Sequence, residues 1–145
     1  MSRALPAAAA VVVMLAITPT AGASPAAQDY MLYCLGCHGA DARGVPGKIP
    51  PLAGALPRFM RTPEGRNYVL RVPGAANTVL SDARLAAVLN WLAVTYATTG
   101  EPPATPFSAE EVAGARHTPL ADVQATRREV VRALATSGPA PAPEY

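Results

Sequence analysis

Five consecutive residues, Cys34-Leu35-Gly36-Cys37-His38, decide how this chain folds. They contain both cysteines of the 145-residue sequence and one of its two histidines. Cysteines three residues apart lie on one side of a helical turn, and the histidine that follows projects from the same turn. The C-x-x-C-H spacing is typical of c-type haem attachment. It predicts haem thioethers at Cys34 and Cys37 and a proximal iron ligand at His38.

Three other interpretations of the cysteine pair compete with haem attachment. A thioredoxin-like dithiol follows a strand in a βαβ unit, whereas a helical pattern precedes this pair. A zinc site needs four ligands, and the chain offers only Cys34, Cys37, His38 and His117. A disulfide between residues this close is strained and closes almost no loop. Haem attachment is the interpretation that the surrounding sequence favours.

The residues around the motif predict helices and loops, without strands. Apolar residues before the motif recur at helical spacing in a helix opened by Ser24-Pro25. Thr62-Pro63 predicts a short helix that ends before Pro73, and Ser81-Asp82 begins the clearest helix of the chain. A capping box at Ser108 and an apolar stripe over about 120–135 predict two further helices.

The N-terminal segment has the pattern of a secretory signal peptide. Arg3 supplies the positive charge, residues 4–17 are uncharged and apolar, and Ala21-Gly22-Ala23 forms a small-residue cleavage site. The apolar run is shorter than the roughly 20 residues that a membrane helix needs. We therefore expect cleavage after residue 23, export to the periplasm and no membrane span in the mature chain. An uncleaved N-terminal anchor is the alternative.

Composition narrows the function further. The formal net charge is +2 and only 15% of residues are charged, which argues against an acidic disordered protein and a strongly basic nucleic-acid binder. Aromatic residues make up 6% of the chain, so large side chains that could fill a core are scarce. A small domain with so little core filler often depends on a cofactor or metal for stability.

The chain resembles the class I cytochromes c over roughly residues 26–96. Besides the C-x-x-C-H motif, Pro50-Pro51-Leu52-Ala53-Gly54 is similar to the P-x-L-x-G element of that family. The resemblance implies that the Pro50 carbonyl accepts a hydrogen bond from His38. It also implies that an aromatic residue of the later helix, here Trp91, packs across the first helix at Tyr30.

The second axial iron ligand departs from this family pattern. The resemblance implies a methionine shortly before the final helix of the domain, often followed by proline, but this chain has Val72 before Pro73. Met60 is the tentative distal ligand, with His117 or no protein ligand as the alternatives. Arg58, Arg61, Arg66 and Arg71, a set of neighbouring cations, are candidates for pairing with haem carboxylates.

These observations predict an all-α, class I cytochrome c-like fold around one covalent haem c, with a C-terminal helical extension. The predicted units are a signal peptide (1–23), a cytochrome c domain (24–99), a Pro-rich linker (100–107), the helical extension (108–136) and a disordered tail (137–145).

The predicted function is that of a periplasmic mono-haem c-type cytochrome that carries single electrons and is not itself an enzyme. Its expected partners are electron donor and acceptor proteins, such as a dehydrogenase or a respiratory complex, and not nucleic acid. Two alternatives remain at this point. One is a haem-based ligand sensor or peroxidase-like protein with an open distal site, and the other is a haem subunit of a larger oxidoreductase.

Overall fold

The computed structural model describes residues 23–136 and 138–142, and the predicted signal peptide lies almost wholly outside this part. Within it the chain is helical, and the only β-structure is an isolated bridge between Val45 and Ile49. The helices, in chain order, are α1 (Pro25–Tyr33), α2 (Leu35–His38), α3 (Leu56–Phe59), α4 (Pro63–Arg71), α5 (Pro73–Ala76), α6 (Asp82–Thr95), α7 (Ala109–Ala115) and α8 (Val123–Ala135). The prediction of an all-α fold is confirmed. No helix in the described ranges is long and apolar enough to cross a membrane.

Side-chain caps begin the longer helices at the predicted residues. The hydroxyls of Ser24, Thr62 and Ser81 each accept a hydrogen bond from a backbone N–H in the first turn of α1, α4 and α6. Ser108 does the same for α7. Proline follows the cap in α1 and α4, where its missing N–H costs no helical hydrogen bond. Local sequence therefore determines where these helices start.

Helices α1 and α6 pack against each other through aromatic rings. The ring centroids of Tyr30 and Trp91 lie 5.6 Å apart, and Trp91 meets Tyr96 edge-on at 6.0 Å. The Tyr30 hydroxyl donates to the carbonyl of Gly39 at 2.6 Å, directly after the attachment motif. Burial raises the pKa of Tyr30 to about 12, and the neighbouring Tyr96 adds to the rise. The helix pairing that the family resemblance implies therefore also supports the turn that carries the cysteines.

A buried ion pair supports the same helix contact. Asp29 on α1 is 5% exposed, and its carboxylate receives both Nε and Nη2 of Arg84 from α6. A two-pronged contact of this kind fixes orientation as well as distance. It sets the register of α1 on α6, and therefore the position of the motif at the end of α1.

The arginines considered above as partners for haem carboxylates hold the C-terminal extension instead. Glu101 accepts hydrogen bonds from Arg58, at 2.9 and 2.7 Å, and from Arg61, at 2.7 Å. Arg66 pairs with Glu111 and donates to the carbonyls of Thr105 and Pro106. These contacts tie residues 101–111 to α3 and α4.

Further contacts continue this attachment along the extension. Arg71 donates to the carbonyls of Thr118 and Pro119, beyond α7. Asn90 on α6 exchanges two hydrogen bonds with the backbone of Phe107, at 2.9 and 2.7 Å. Phe107 is itself buried beneath the guanidinium of Arg66, 4.2 Å from its ring centroid. The extension therefore packs on the same core as the rest of the chain.

We expect Glu101→Gln to loosen the extension. The guanidinium of Arg58, and then that of Arg61, lower the pKa of Glu101 below its ordinary value of 4.5. A lowered pKa in the folded state means that the carboxylate stabilises the fold above the ordinary pKa, and that this contribution is lost as the pH falls through the lowered pKa. Limited proteolysis at neutral pH should cut the variant severalfold faster near residue 101. Wild type should approach the same rate only in acid.

The matched control for this variant is Glu129→Gln, at an exposed position on α8. It removes the same charge without touching Arg58 or Arg61. Equal cleavage rates for the two variants at neutral pH would contradict the assignment of Glu101 as the anchor of the extension.

Candidate haem site

The cysteine motif lies on a single helical turn between α1 and the loop that follows. The backbone N–H groups of Cys37 and His38 both donate to the carbonyl of Cys34, at 3.2 and 3.0 Å. The two thiols are not joined by a disulfide. Burial, followed by the nearby charges of Asp29 and Cys37, raises the pKa of the Cys34 thiol. The thiols are placed as the spacing predicts, one turn apart at the wall of a cavity.

The imidazole of His38 is held in one orientation by the Pro50 carbonyl. Its Nδ1 lies 3.1 Å from the Pro50 oxygen, which can only accept, so Nδ1 carries the proton. That tautomer leaves Nε2 available for a metal. Burial lowers the pKa of His38, although the hydrogen bond to Pro50 opposes the shift. His38 is therefore neutral at pH 7, which is the form that binds iron.

Gly44 keeps the Pro50 carbonyl in place. Its φ of +67° favours glycine, and its N–H donates to the His38 carbonyl at 2.8 Å. A Cβ at this position would meet the Ile49 carbonyl and lie 2.7 Å from the Pro50 oxygen. Only glycine lets the two chain segments approach so closely, and the approach fixes the acceptor for His38.

Cys34, Cys37 and His38 all face one apolar cavity of about 400 Å³. This volume lies in the usual range for cofactor sites. Its other walls come from every main part of the fold: Leu52 from the loop, Leu56 and Phe59 from α3, Val69 and Val72 from α4 and its end, Ala75 from α5, Leu85, Val88, Leu89 and Leu92 from α6, and Val123 and Arg127 from α8. The space lies where a protein of this size would normally have core side chains.

The donor groups of this cavity fit a haem. Two thiols and an imidazole stand on one short turn, as covalent attachment and iron ligation require. The remaining wall is mostly aliphatic, which suits a porphyrin. Lys48 and Arg127 contribute two cations, and no carboxylate belongs to the described lining, so the charge matches the two carboxylates of a haem.

The two candidate distal ligands do not face this cavity. Met60 is 1% exposed but lies in the core, and it is not part of the described cavity wall. Its backbone carbonyl accepts a hydrogen bond from Arg66 at 3.1 Å. His117 is exposed and lines a separate cavity of about 320 Å³ beside Arg71 and Leu120. Iron ligation by Met60 remains a prediction, and it requires the junction between α3 and α4 to rearrange.

The structure gives no support to the zinc interpretation. Within the described ranges, no three or more His, Cys, Asp or Glu side chains come together in a group that could hold a metal ion. An iron held by a porphyrin needs only axial ligands from the protein, so His38 alone satisfies the minimum for a haem.

Arg127 is the cavity residue that the sequence reasoning missed. The charged run around it is typical of a solvated helix face, yet Arg127 is 2% exposed. Its guanidinium lies 5.2 Å from the ring centroid of Phe59, and its Nη2 donates to the Ala142 carbonyl at 2.9 Å. The signal was present in the spacing, since residue 127 lies four after Val123 and three before Val130, on the apolar face of α8.

Comparisons with known proteins agree with this geometry. The chain is similar to cytochrome c-552 of Thermus thermophilus, with 34% identity over 98 residues that cover 54% of this chain and 75% of the relative. A second cytochrome c-552, from another strain of the same organism, matches with 34% identity, and the match covers 66% of its length. No protein-family model matches the chain.

An all-helical fold around an apolar cavity of this kind defines a haem-binding electron-transfer protein. The similarity to the two relatives makes the class specific: the chain belongs to the cytochrome c family.

Proposed function

We propose that this protein is a periplasmic mono-haem c-type cytochrome that carries single electrons between a donor and an acceptor protein. The observation that carries the proposal is the arrangement of Cys34, Cys37 and His38 on one turn at the wall of a single apolar cavity. The names of the two relatives support the assignment to electron transfer. A dehydrogenase and a respiratory complex are the kinds of partner that we propose.

Three residues of the attachment turn would hold the haem. The Cys34 and Cys37 thiols would each add across one vinyl group, sulfur bonding to the vinyl carbon and the thiol hydrogen going to its neighbour. His38 would bind iron through Nε2, oriented by Pro50. When bound, haem supplies the one-electron couple between Fe(III) and Fe(II). The aliphatic residues of α6 exclude water from this couple.

The proposed location rests on the N-terminal sequence. Residues 1–23 have the charge, apolar run and small-residue site of a secretory signal. Covalent attachment also suits an exported protein, because a thioether-linked haem cannot diffuse away. We retain 24–99 as the cytochrome c domain, 100–107 as the linker and 108–136 as the extension. Residues 137–145 remain the proposed tail, although Ala142 within it contacts Arg127.

Intact mass and redox titration test this proposal directly. The full-length chain is expressed in a host with c-type haem maturation and recovered from the periplasm. The expected mass is that of residues 24–145 plus one haem, and the expected titration is a single one-electron wave. A chain recovered without covalent haem, or with a second haem, would overturn the proposal.

Arg127 is expected to raise the reduction potential. A cation buried in the cavity destabilises Fe(III) more than Fe(II), because the oxidised centre carries the larger positive charge. Arg127→Leu should therefore lower the potential, on the order of tens of millivolts. Arg132→Leu, on the exposed face of the same helix, is the matched control. Equal potentials for both variants, measured by protein-film voltammetry, would show that the Arg127 charge does not reach the haem.

A further inference from the structure

The cavity wall lacks a side chain suited to be a second iron ligand. Besides the attachment turn, the described lining includes only four side chains with a nitrogen or oxygen: Tyr33, Lys48, Tyr68 and Arg127. No methionine or second histidine belongs to the described wall. Met31, the other methionine of the described chain besides Met60, is 59% exposed on α1.

The positions of these four side chains argue against ligation. Tyr33 directly precedes Cys34, and Lys48 lies two residues before Pro50, so both belong to the wall that carries His38. An arginine has no lone pair to give to iron. A phenol binds iron well only as phenolate, which ordinarily forms near pH 10. Tyr68 is the remaining competitor, and its ring packs 5.3 Å from that of Phe59 in the core.

The opposing wall is formed by small aliphatic side chains. The segment from the end of α4 into α5 contributes Val69, Val72 and Ala75 to the cavity, and Val69 and Ala75 are also largely buried. An apolar wall disfavours a charged ligand, because an ion that enters must lose its hydration. A small neutral molecule bears no such cost. The wall therefore selects ligands by charge and by size.

We infer that the iron position facing away from His38 is open and binds a neutral diatomic ligand of the carbon monoxide or nitric oxide class. This inference rests on the proposed haem attachment and concerns the same cavity. It assigns the Val69, Val72 and Ala75 wall as the ligand pocket. Met60 and His117 then have no part in iron ligation.

Carbon monoxide titration of the full holoprotein tests the inference. The chain is reduced anaerobically, and carbon monoxide is added while the main haem absorption band is followed. We expect a saturable shift at micromolar carbon monoxide, with an observed rate that rises linearly with its concentration. Met60→Ala, His117→Ala and Tyr68→Phe should each keep the affinity within about twofold of wild type.

The outcomes separate this inference from the proposed function. Covalent haem that fails to bind carbon monoxide at saturation overturns the open site and leaves haem attachment standing. Binding that becomes fast only in one of the three variants overturns it as well and identifies the displaced ligand. If no haem is attached, the proposed function fails first, which the mass measurement already reveals.

Discussion

The double variant Cys34→Ala/Cys37→Ala is expected to lose covalent haem and, with it, cooperative folding. Emptying a core costs about 24 cal/mol for each Å³ of cavity that remains. The cavity in this fold has a volume of about 400 Å³, which corresponds to a cost on the order of 10 kcal/mol. That figure is as large as the whole stability of a typical domain, about 5–15 kcal/mol.

The measurement is urea unfolding followed by circular dichroism, with haem content determined on the same samples. Wild-type holoprotein should unfold in one steep transition, whereas the double variant should change gradually from the lowest urea concentrations. Leu32→Ala, at a position 73% exposed and next to the motif, is the control and should unfold like wild type. A steep transition in the haem-free variant, near the wild-type midpoint, would contradict the central role given to the cavity.

Several features of the fold could be predicted because their causes are local. Ser24, Thr62, Ser81 and Ser108 cap helices through their own hydroxyls, so their neighbours in sequence determine where the helices begin. The hydrogen bond between His38 and Pro50 also follows from a short motif, although only the family resemblance implies it. Helix α6 begins at Asp82 as the pattern around Ser81 indicates.

The remaining features depend on contacts that no local pattern contains. Helices α3 and α5 have four residues each, and they form where the chain turns around the cavity. Arg58 and Arg66 face partners 43 and 45 residues later in the chain, so their role could not be inferred from their own neighbours. Arg127 lies in the cavity because α8 packs on α4. Charged residues are ordinarily assigned to solvent, and this rule hid its position.

Val72→Met is expected to close the open iron position. Val72 lies at the end of α4, directly before Pro73, and its side chain lines the haem cavity. The family resemblance implies methionine before proline in this part of the chain, and a thioether here has both the length and the flexibility to reach iron. The variant should show a six-coordinate spectrum at rest. Its affinity for carbon monoxide should fall by at least about tenfold, since the ligand must displace sulfur.

The reduction potential should move in the same experiment. Methionine paired with histidine favours the reduced iron, so the potential of Val72→Met should lie above that of wild type. Val79→Met is the matched control, because it adds the same thioether at a position that is 82% exposed and lies outside the described cavity wall. It should change neither the spectrum nor the potential. If Val72→Met bound carbon monoxide as tightly as wild type, Val72 would not face the iron, and the ligand pocket would have to lie elsewhere in the cavity.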